Sequence, residues 1–447
     1  STPLYSSAAS DVYKRQNMSG AKIVITDRDN YEKFESIKDK CDDLEHIIVV
    51  DDNLENGILN YEEMVNKSSS NLPNPENLSS DLLMGYFTSG TTGYPKMVLN
   101  THASYPLGHI VTGKYWLDNR PSDLHWTLSD TGWAQAAWTC FFAPWNMGSA
   151  IFIWDQRGRF DAEASLKILE DYPISTFFAP PTAYRMLVQE NISNFKFKNL
   201  RHCLGAGEAV NPDLNSTWKE NTGFHIWEGY GQTETTLCIA TFPGIQYKPG
   251  SMGVVAPGFE INIVDDNGKI LKYGEEGEIA IKIKPNRPVG LFQGYWDNDE
   301  ANTNSFRDDW YFTGDKASQD QDGYFWFVGR GDDVINSASY RIGPFEVESA
   351  LAEHSSVAET AVIGSPDNVR GEIVKAFVVL SPGIHPYELT IEESDSLKKE
   401  LQSHVKNITA PYKYPREIEF VTELPKTISG KIRRNLLREN ELKKKSL

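Results

Sequence analysis

The sequence predicts an α/β fold: a large N-terminal body of parallel α/β sheets plus an antiparallel sheet, followed by a small mobile α+β C-terminal domain. Three observations predict it. Short β-branched runs alternate with helical patterns at first, then period-two alternation broken by turns sets in near residue 245, and a compact strand–helix mixture begins beyond Asp332. In the first stretch AKIVITD (21–27), HIIVVDD (46–52), ISTFFAPP (174–181) and LRHCLGAG (200–207) read as strands, and DAEASLKILEDY (161–172) as a helix. EINIVDDNGKI (260–270), EGEIAIKI (276–283) and DGYFWFVGR (322–330) read as antiparallel strands. In the last stretch EVESALAEH (346–354) and SLKKELQSHVKN (396–407) read as helices, with ETAVIGS (359–365) and VKAFVVL (374–380) as strands. The polar segment 66–80 reads as a linker.

Bulk composition narrows the function. A chain of 447 residues is too long for one core, which implies two or three domains. A formal net charge of −18 with no compensating basic run argues against nucleic acid as a partner. An anionic substrate can still bind, through a focused local site. Cys41, Cys140, Cys203 and Cys238 are far apart, which predicts neither a disulfide framework nor a zinc site and fits a reducing compartment. Residues 1–16 are polar and lack the apolar region of a signal peptide, so 1–17 is set aside as an unrelated leader. Residues 133–154 carry no charge and could span a bilayer by length, but Pro144, Asn146 and Gly148 interrupt them. The expectation is a buried helix over 134–142 and a buried strand over 149–154, with no transmembrane segment.

Two glycine-rich stretches invite familiar readings that fail. TSGTTGYPK (88–96) offers only donors, from small residues, threonine hydroxyls and a lysine, which suits a polyphosphate. It is no P-loop, because Gly90 and Gly93 are too close and Met97 stands where that motif needs a hydroxyl. LGAGEAV (204–210) follows a strand, but the third glycine of a dinucleotide fingerprint is missing. In EGYGQTE (228–234) two glycines bracket a tyrosine, so an aromatic face can meet a flat ring. Thr233 can bond a phosphate and Glu234 can hold Mg²⁺ beside it.

Taken in order, TSGTTGYPK, GAGE, GYGQTE, YFTGD (311–315), GRGDD (329–333), YRIGPFEVE (340–348) and PKTISGK (425–431) resemble the adenylate-forming superfamily. SDTGW (129–133), RGEIVKAFVVL (370–380) and TAPYKYPREIEFV (409–421) look like its medium-chain acyl-CoA synthetase branch. The resemblance implies a large AMP-binding domain over 18–331 and a small domain over 332–447, hinged at Asp332. It implies that Thr88, Ser89, Gly90, Thr91, Thr92, Gly93, Tyr94, Pro95 and Lys96 cover the ATP phosphates. Gly207, Glu208 and Ala209, with Glu228, Gly229, Tyr230, Gly231 and Gln232, would wall the adenine and acyl-adenylate. Thr233 would sit near the α-phosphate and Glu234 on Mg²⁺. Asp315 would take the ribose hydroxyls, Arg330 would add a ribose contact and Arg341 a phosphate contact. Lys431, with Thr88 and Glu234, would serve catalysis. Ala338, Ser339, Tyr340 and Arg370 would meet CoA.

The implied activity is ATP-dependent conversion of a carboxylic acid to acyl-adenylate and its transfer to CoA, with Mg²⁺, ATP and CoA as cofactors. A tryptophan before Q-T-E closes the acyl pocket in acetate-activating relatives. Here that position is Gly231, which predicts an open floor, with walls from Trp133, Ala137 and Phe141. A medium-chain fatty or aryl acid is then expected. Two departures accompany this: Ser339 replaces a glycine common in the family, and the chain starts late relative to its branch. A truncated non-catalytic paralogue that binds nucleotide or a partner therefore stays open, as do an acetate or propionate ligase and a homo-oligomer. The branch implies a mitochondrial matrix or cytoplasmic location, with the targeting region outside this chain.

Overall fold

The computed structural model describes every residue except 1–3, 52, 53, 56, 89–95, 130, 157, 159, 332, 338, 339, 368, 369, 427–431, 446 and 447, and not the side chains of residues 4–11 and Arg341. The chain divides into two compact units, one formed by residues 1–102 with 294–297 and one by 103–293 with 298–447.

In the first unit, Ile23–Thr26, His46–Val49 and Leu59–Asn60 form a parallel sheet, and Leu82–Thr88, Lys96–Thr101 and Gly294–Tyr295 an antiparallel one. The segment set aside as a leader is helical over Leu4–Ser19, and its Val12 packs on the cluster of Ile37, Cys41, Leu44 and Ile47. Asp27 caps the helix Arg28–Glu35 by accepting from the Asn30 N–H at 2.8 Å, which satisfies a donor the first turn leaves free.

The second unit carries a seven-stranded sheet in the order Val254–Val255, Thr236–Ala240, Ile226–Gln232, His202–Ala206, Thr176–Phe178, Leu124–Thr127 and Ala150–Phe152. The last five run parallel and the first two antiparallel. Trp126, Phe177, Tyr184 and Trp218 fill the core between this sheet and the helices Ala162–Asp171, Pro181–Leu187 and Pro212–Thr222.

The uncharged stretch 133–154 departs from expectation in two ways. Its helix runs as Ala134–Ala136, then a π-helical segment Ala137–Phe142, then Ala143–Asn146, and so passes through Pro144. A second π-helical segment, Thr112–Trp116, lies beside it; a Cβ on Gly113 would come within 2.4 Å of the Ala143 carbonyl oxygen. This close approach of backbone accounts for the glycine. The strand expected to be buried is instead the edge Ala150–Phe152. Phe152 and Trp154 pack on Trp126, while Ile153, just past the strand, is 69% exposed. No helix among the described residues is long and apolar enough to cross a membrane.

An antiparallel five-stranded sheet follows, with Ile261–Val264, Glu276–Lys282, Trp310–Gln319 and Phe306–Arg307 in order and Phe325–Arg330 paired to Trp310–Gln319. The last sheet orders Tyr340–Ile342, Ile335–Ser337, Gly371–Leu380 and Val357–Asp367, with Glu417–Val421 parallel to Gly371–Leu380. Its alternation separates two faces. Val362, Val374 and Val378 meet Val347, Leu351, Leu401 and Val405 of the helices Pro344–Ala352 and Ile391–Ile408, whereas Ala361, Ile363 and Phe377 meet Leu437 of the helix Arg434–Lys445.

That last helix is also pinned by charge. The Lys375 ammonium, 7% exposed, lies 2.6 Å from Glu441 and 3.0 Å from Glu419, and Ser365 donates to the other Glu441 oxygen at 2.8 Å. Breaking a buried pair leaves an uncompensated charge. Glu441→Ala should therefore destabilise the chain by about 3 kcal/mol, the low end for such a pair because Glu419 still holds the ammonium. The urea midpoint measures this; no change would mean that Leu437 packing alone seats the helix.

Candidate active site

The two strands that meet at the predicted adenine and ribose positions belong to different sheets, and one carboxylate joins them. Asp315, on Trp310–Gln319, is buried, and its Oδ2 accepts from the Tyr230 hydroxyl at 2.7 Å and the Gln232 amide at 2.6 Å. The second Gln232 amide proton goes to the Thr313 carbonyl at 2.8 Å, and its oxygen accepts from Tyr311 at 3.2 Å. Gln232 is thereby held at every polar atom, and the carboxylate it holds cannot rotate. Arg330 pairs with Asp315 across the strands, its Nε 3.7 Å from Oδ1. Burial pushes the Tyr230 hydroxyl pKa up, and the Asp315 charge adds to the rise, so this donor keeps its proton.

The loop after His202–Ala206 forms the facing wall. Gly207 takes φ +94, a conformation glycine adopts without a Cβ clash, and the Gln135 side chain comes close to it. Glu208 is engaged by Thr182 at 3.1 Å and Arg185 at 3.0 Å. Glu228 is fully buried and its Oε2 accepts from the Val210 N–H at 3.1 Å, tying this loop to the strand Ile226–Gln232. Burial raises the Glu228 pKa well above 4.5, against the smaller opposite effect of that N–H. Burial therefore favours the neutral acid of Glu228 relative to a carboxylate in water.

Thr233 and Glu234 sit half-exposed in the turn after Gln232, and the Glu234 carbonyl accepts from the Phe292 N–H at 2.8 Å. No group of three or more His, Cys, Asp or Glu among the described residues could hold a metal. A magnesium ion carried on phosphates needs one or two carboxylates, and Glu234 at this turn fits that need. The predicted acyl wall is partly rearranged. Ala137 is buried, but Phe141 stacks edge-to-face on exposed Trp145 at 5.3 Å. Trp133 precedes the helix at Ala134. A Cβ on Gly231 would lie 2.0 Å from the Thr236 carbonyl oxygen and 3.0 Å from the Trp138 ring. The expectation of an open floor at Gly231 is thus not met: a β-bulge between Tyr230 and Gly231 and the positive φ of Thr236 (+53) bring backbone into that space.

In the small sheet, Tyr340 pairs with Ser337, which pairs with Gly371, so Tyr340 and Arg370 are brought to one end. The Tyr340 ring stacks on Tyr412 at 4.1 Å and 15°. Gly229 admits no Cβ, because Trp116 would be 2.5 Å away, and Ala209 lies between Glu208 and Val210 on the facing loop. Arg341 continues the strand Tyr340–Ile342. In the first unit Thr88 pairs with Lys96, whose ammonium lies 4.9 Å from the Tyr295 ring centre. Ser89, Gly90, Thr91, Thr92, Gly93, Tyr94, Pro95, Asp332, Ala338, Ser339 and Lys431 lie outside the described residues. Their flanks are visible: Asp333 pairs with Arg438 at 2.7 Å, and Arg434 grips both oxygens of Glu348 at 2.8 and 2.7 Å.

This arrangement of parallel and antiparallel sheets is matched by known proteins. Residues 3–296 match the AMP-binding enzyme family and 346–431 the AMP-binding enzyme C-terminal domain, and the chain belongs to this family. It is 48% identical to acyl-coenzyme A synthetase ACSM3, mitochondrial, of Rattus norvegicus over 96% of this chain and 73% of that protein, and likewise to ACSM5 of Homo sapiens. Among solved structures it resembles the anthranilate CoA ligase AuaEII in complex with anthranoyl-AMP (TM-score 0.89, 32% identity, 98% of this chain and 82% of that one). It also resembles a benzoate CoA ligase from Burkholderia xenovorans LB400 (TM-score 0.81, 26% identity, 96% and 82%). The medium-chain acyl-CoA synthetase branch of the adenylate-forming superfamily, read from the motifs, is the branch in which this chain falls.

Sequence reasoning missed Tyr311 and Thr313 as the groups that hold Gln232. It also missed Trp138, which takes the place beside Gly231. YFTGD contained the first two, but nothing in the string pairs them with a strand eighty residues earlier.

Two predictions follow from this geometry. Gly231→Ala adds a Cβ against backbone, an overpacking cost of about 1–3 kcal/mol, and should slow adenylation of all acids alike. A change of chain-length preference at undiminished rate would show that the Cβ points into the pocket. For Glu228, burial raises the folded pKa above that of the unfolded chain, so stability falls as pH rises from the unfolded pKa to the folded one. Glu228→Gln removes that slope: it should match the parent at pH 4 and exceed it at pH 7 in urea midpoint. Parallel curves for the two proteins would mean that Glu228 is ionised in the fold.

Proposed function

We propose that this protein is an AMP-forming acid:CoA ligase acting on a medium-chain fatty acid or an aryl acid. The observation that carries the reading is the fixed Asp315 carboxylate, held by Tyr230 and Gln232 beside Arg330. A rigid carboxylate next to a half-buried aromatic is suited to a ribose joined to a flat base.

The substrate carboxylate attacks the α-phosphorus of ATP; a P–O bond forms, the bond to the β-phosphate oxygen breaks, and pyrophosphate leaves. Tyr230 and the loop from Gly207 to Ala209 hold the adenine, and Asp315 with Arg330 the ribose. Bringing two anions together needs positive charge, from Lys431 and from the backbone donors of the loop 88–96. A magnesium ion bound at Glu234 would neutralise phosphate charge. In the second step a thiol attacks the acyl carbon, the mixed anhydride breaks, and AMP leaves with the thioester formed. Lys431 obstructs that approach, so the domain 332–447 turns about Asp332 and presents Ala338, Ser339, Tyr340 and Arg370 to CoA. The large domain of this scheme is 18–331. The relatives' printed names support a mitochondrial location, for which the matrix is the compartment proposed.

The direct test is pyrophosphate release by the purified chain across straight-chain and aryl acids, with and without CoA. Absence of release with every acid would favour a non-catalytic nucleotide binder. Lys431→Ala should lower adenylation at least a hundredfold, roughly the loss of a transition-state charge contact. It should leave thioester formation from supplied acyl-adenylate within about threefold of the parent. Equal loss of both steps would remove Lys431 from the first step alone.

A further inference from the structure

The strand Trp310–Gln319 does not run evenly past its neighbour Glu276–Lys282. Glu278 pairs with Lys316 and Ala280 with Phe312, so Ile279 alone stands opposite Thr313, Gly314 and Asp315. The surplus makes a bulge, and Gly314 turns it with φ +76, a conformation that suits glycine. A bulge takes backbone groups out of the ladder, and these must find other partners. The Gly314 carbonyl accepts from the Gly331 N–H at 2.8 Å, and the Asp315 N–H goes to the Thr313 hydroxyl at 3.2 Å. That hydroxyl donates in turn to the Ile279 carbonyl at 2.9 Å. The Gly314 N–H goes to a side chain of the neighbouring strand: Glu278 Oε1 accepts it at 2.9 Å.

These bonds fix both peptide planes in front of the Asp315 side chain. The plane from Gly314 to Asp315 is held by Gly331 and Thr313. The plane from Thr313 to Gly314 is held by Glu278 at its N–H and by the Gln232 amide at its carbonyl, 2.8 Å away. Remove Glu278, and the second plane keeps one anchor, the same Gln232 amide that holds Asp315 Oδ2. Glu278 is half-buried. Burial disfavours its charge, and of the groups that oppose burial the Gly314 N–H acts most strongly, ahead of the charges of Arg307 and Lys316. The carboxylate is thus committed to the turn. Gly314 itself is exposed, so water would satisfy its N–H without Glu278. What the carboxylate adds is a fixed direction.

We infer that Glu278 is a positioning residue for the ribose: by fixing the Thr313–Gly314 peptide it sets the direction from which the Asp315 carboxylate meets two hydroxyls. This deepens the ligase reading and rests on its assignment of Asp315 to the ribose. Glu278 acts through Gly314 and touches no reacting atom. A carboxylate that serves two hydroxyls depends on angle more than one that serves a single hydroxyl. A small turn of the backbone therefore loses the paired contact first, and the loss reads as poorer discrimination between a ribose and a 2′-deoxyribose.

The test measures dissociation constants for AMP and 2′-deoxy-AMP by calorimetry in the parent, Glu278→Gln, Glu278→Ala and Glu278→Leu. Pyrophosphate release across straight-chain and aryl acids gives kcat and KM for ATP beside it. The parent should bind AMP about tenfold more tightly than 2′-deoxy-AMP, the worth of one hydrogen bond to a charged group. In the Ala and Leu variants that ratio should fall about fivefold, with KM for ATP raised and kcat within about twofold of the parent. Glu278→Gln keeps a carbonyl that accepts the Gly314 N–H, and should hold the parent ratio within about twofold. An unchanged ratio in the Ala and Leu variants, with both nucleotides weakened alike or not at all, is what a merely structural strand contact gives. That result overturns the inference and leaves the ligase reading standing. A parent ratio of one removes Asp315 from the ribose and overturns the inference with it. The expected ratios without pyrophosphate release from any acid uphold the role of Glu278 and overturn the ligase reading. If the Leu variant fails to fold by circular dichroism, the Ala variant decides.

Discussion

A single carboxylate oxygen is the joint on which the nucleotide side of this molecule depends. Asp315 Oδ2 receives both the Tyr230 hydroxyl and the Gln232 amide, and these come from a sheet other than its own. Hydrogen bonds to a charged group contribute about 1.5–3 kcal/mol each, roughly twice the neutral value. Their larger effect is geometric. Tyr230 cannot swing, Gln232 cannot flip, and the two sheets cannot slide past one another without leaving a buried carboxylate unsolvated. Tyr311 and Thr313 complete the lattice from the Asp315 strand itself.

What could be read in the string, and what could not, divides along the range of the interaction. The strands Ile261–Val264, Glu276–Lys282 and Phe325–Arg330 lie inside the runs that read as antiparallel, because period-two alternation is a local property. Two strands of the small sheet, Val357–Asp367 and Gly371–Leu380, contain the runs that read as strands for the same reason, whereas Ile335–Ser337, Tyr340–Ile342 and Glu417–Val421 did not read as strands. Neighbour order was not local. The run 149–154 looked like any buried strand, and its place at the sheet edge follows from Leu124–Thr127 pairing with Thr176–Phe178 on the other side. The motifs carried the family and the likeness to Asp315, Tyr230 and Gln232. They carried neither Tyr311 nor Trp138, whose roles arise from strand register and from π-helical turns.

Gly231 shows how a residue's meaning changes between string and fold. An absent side chain suggested vacant volume. In the structure the absence lets backbone approach: Thr236 turns into a left-handed conformation and its carbonyl takes the space. Gly108, Gly113 and Gly229 act in the same way against Gly290, Ala143 and Trp116. Close approach, rather than emptiness, is what these glycines provide.

The grip of Arg434 on Glu348 has a kinematic consequence. Arg434 opens the C-terminal helix three positions after Lys431, Glu348 lies on the helix that follows the strand of Tyr340, and Glu348 also accepts from the Val362 N–H at 2.7 Å. Arg438 reaches back to Asp333, the residue after the proposed pivot. The start of the C-terminal helix and the helix that follows the strand of Tyr340 are therefore joined as one stiff piece, with Asp333 tied to it through Arg438. In the proposed rotation about Asp332, whatever moves the end of the chain near Lys431 would carry the face of Tyr340 through the same angle, so a single rigid movement would serve both chemical steps.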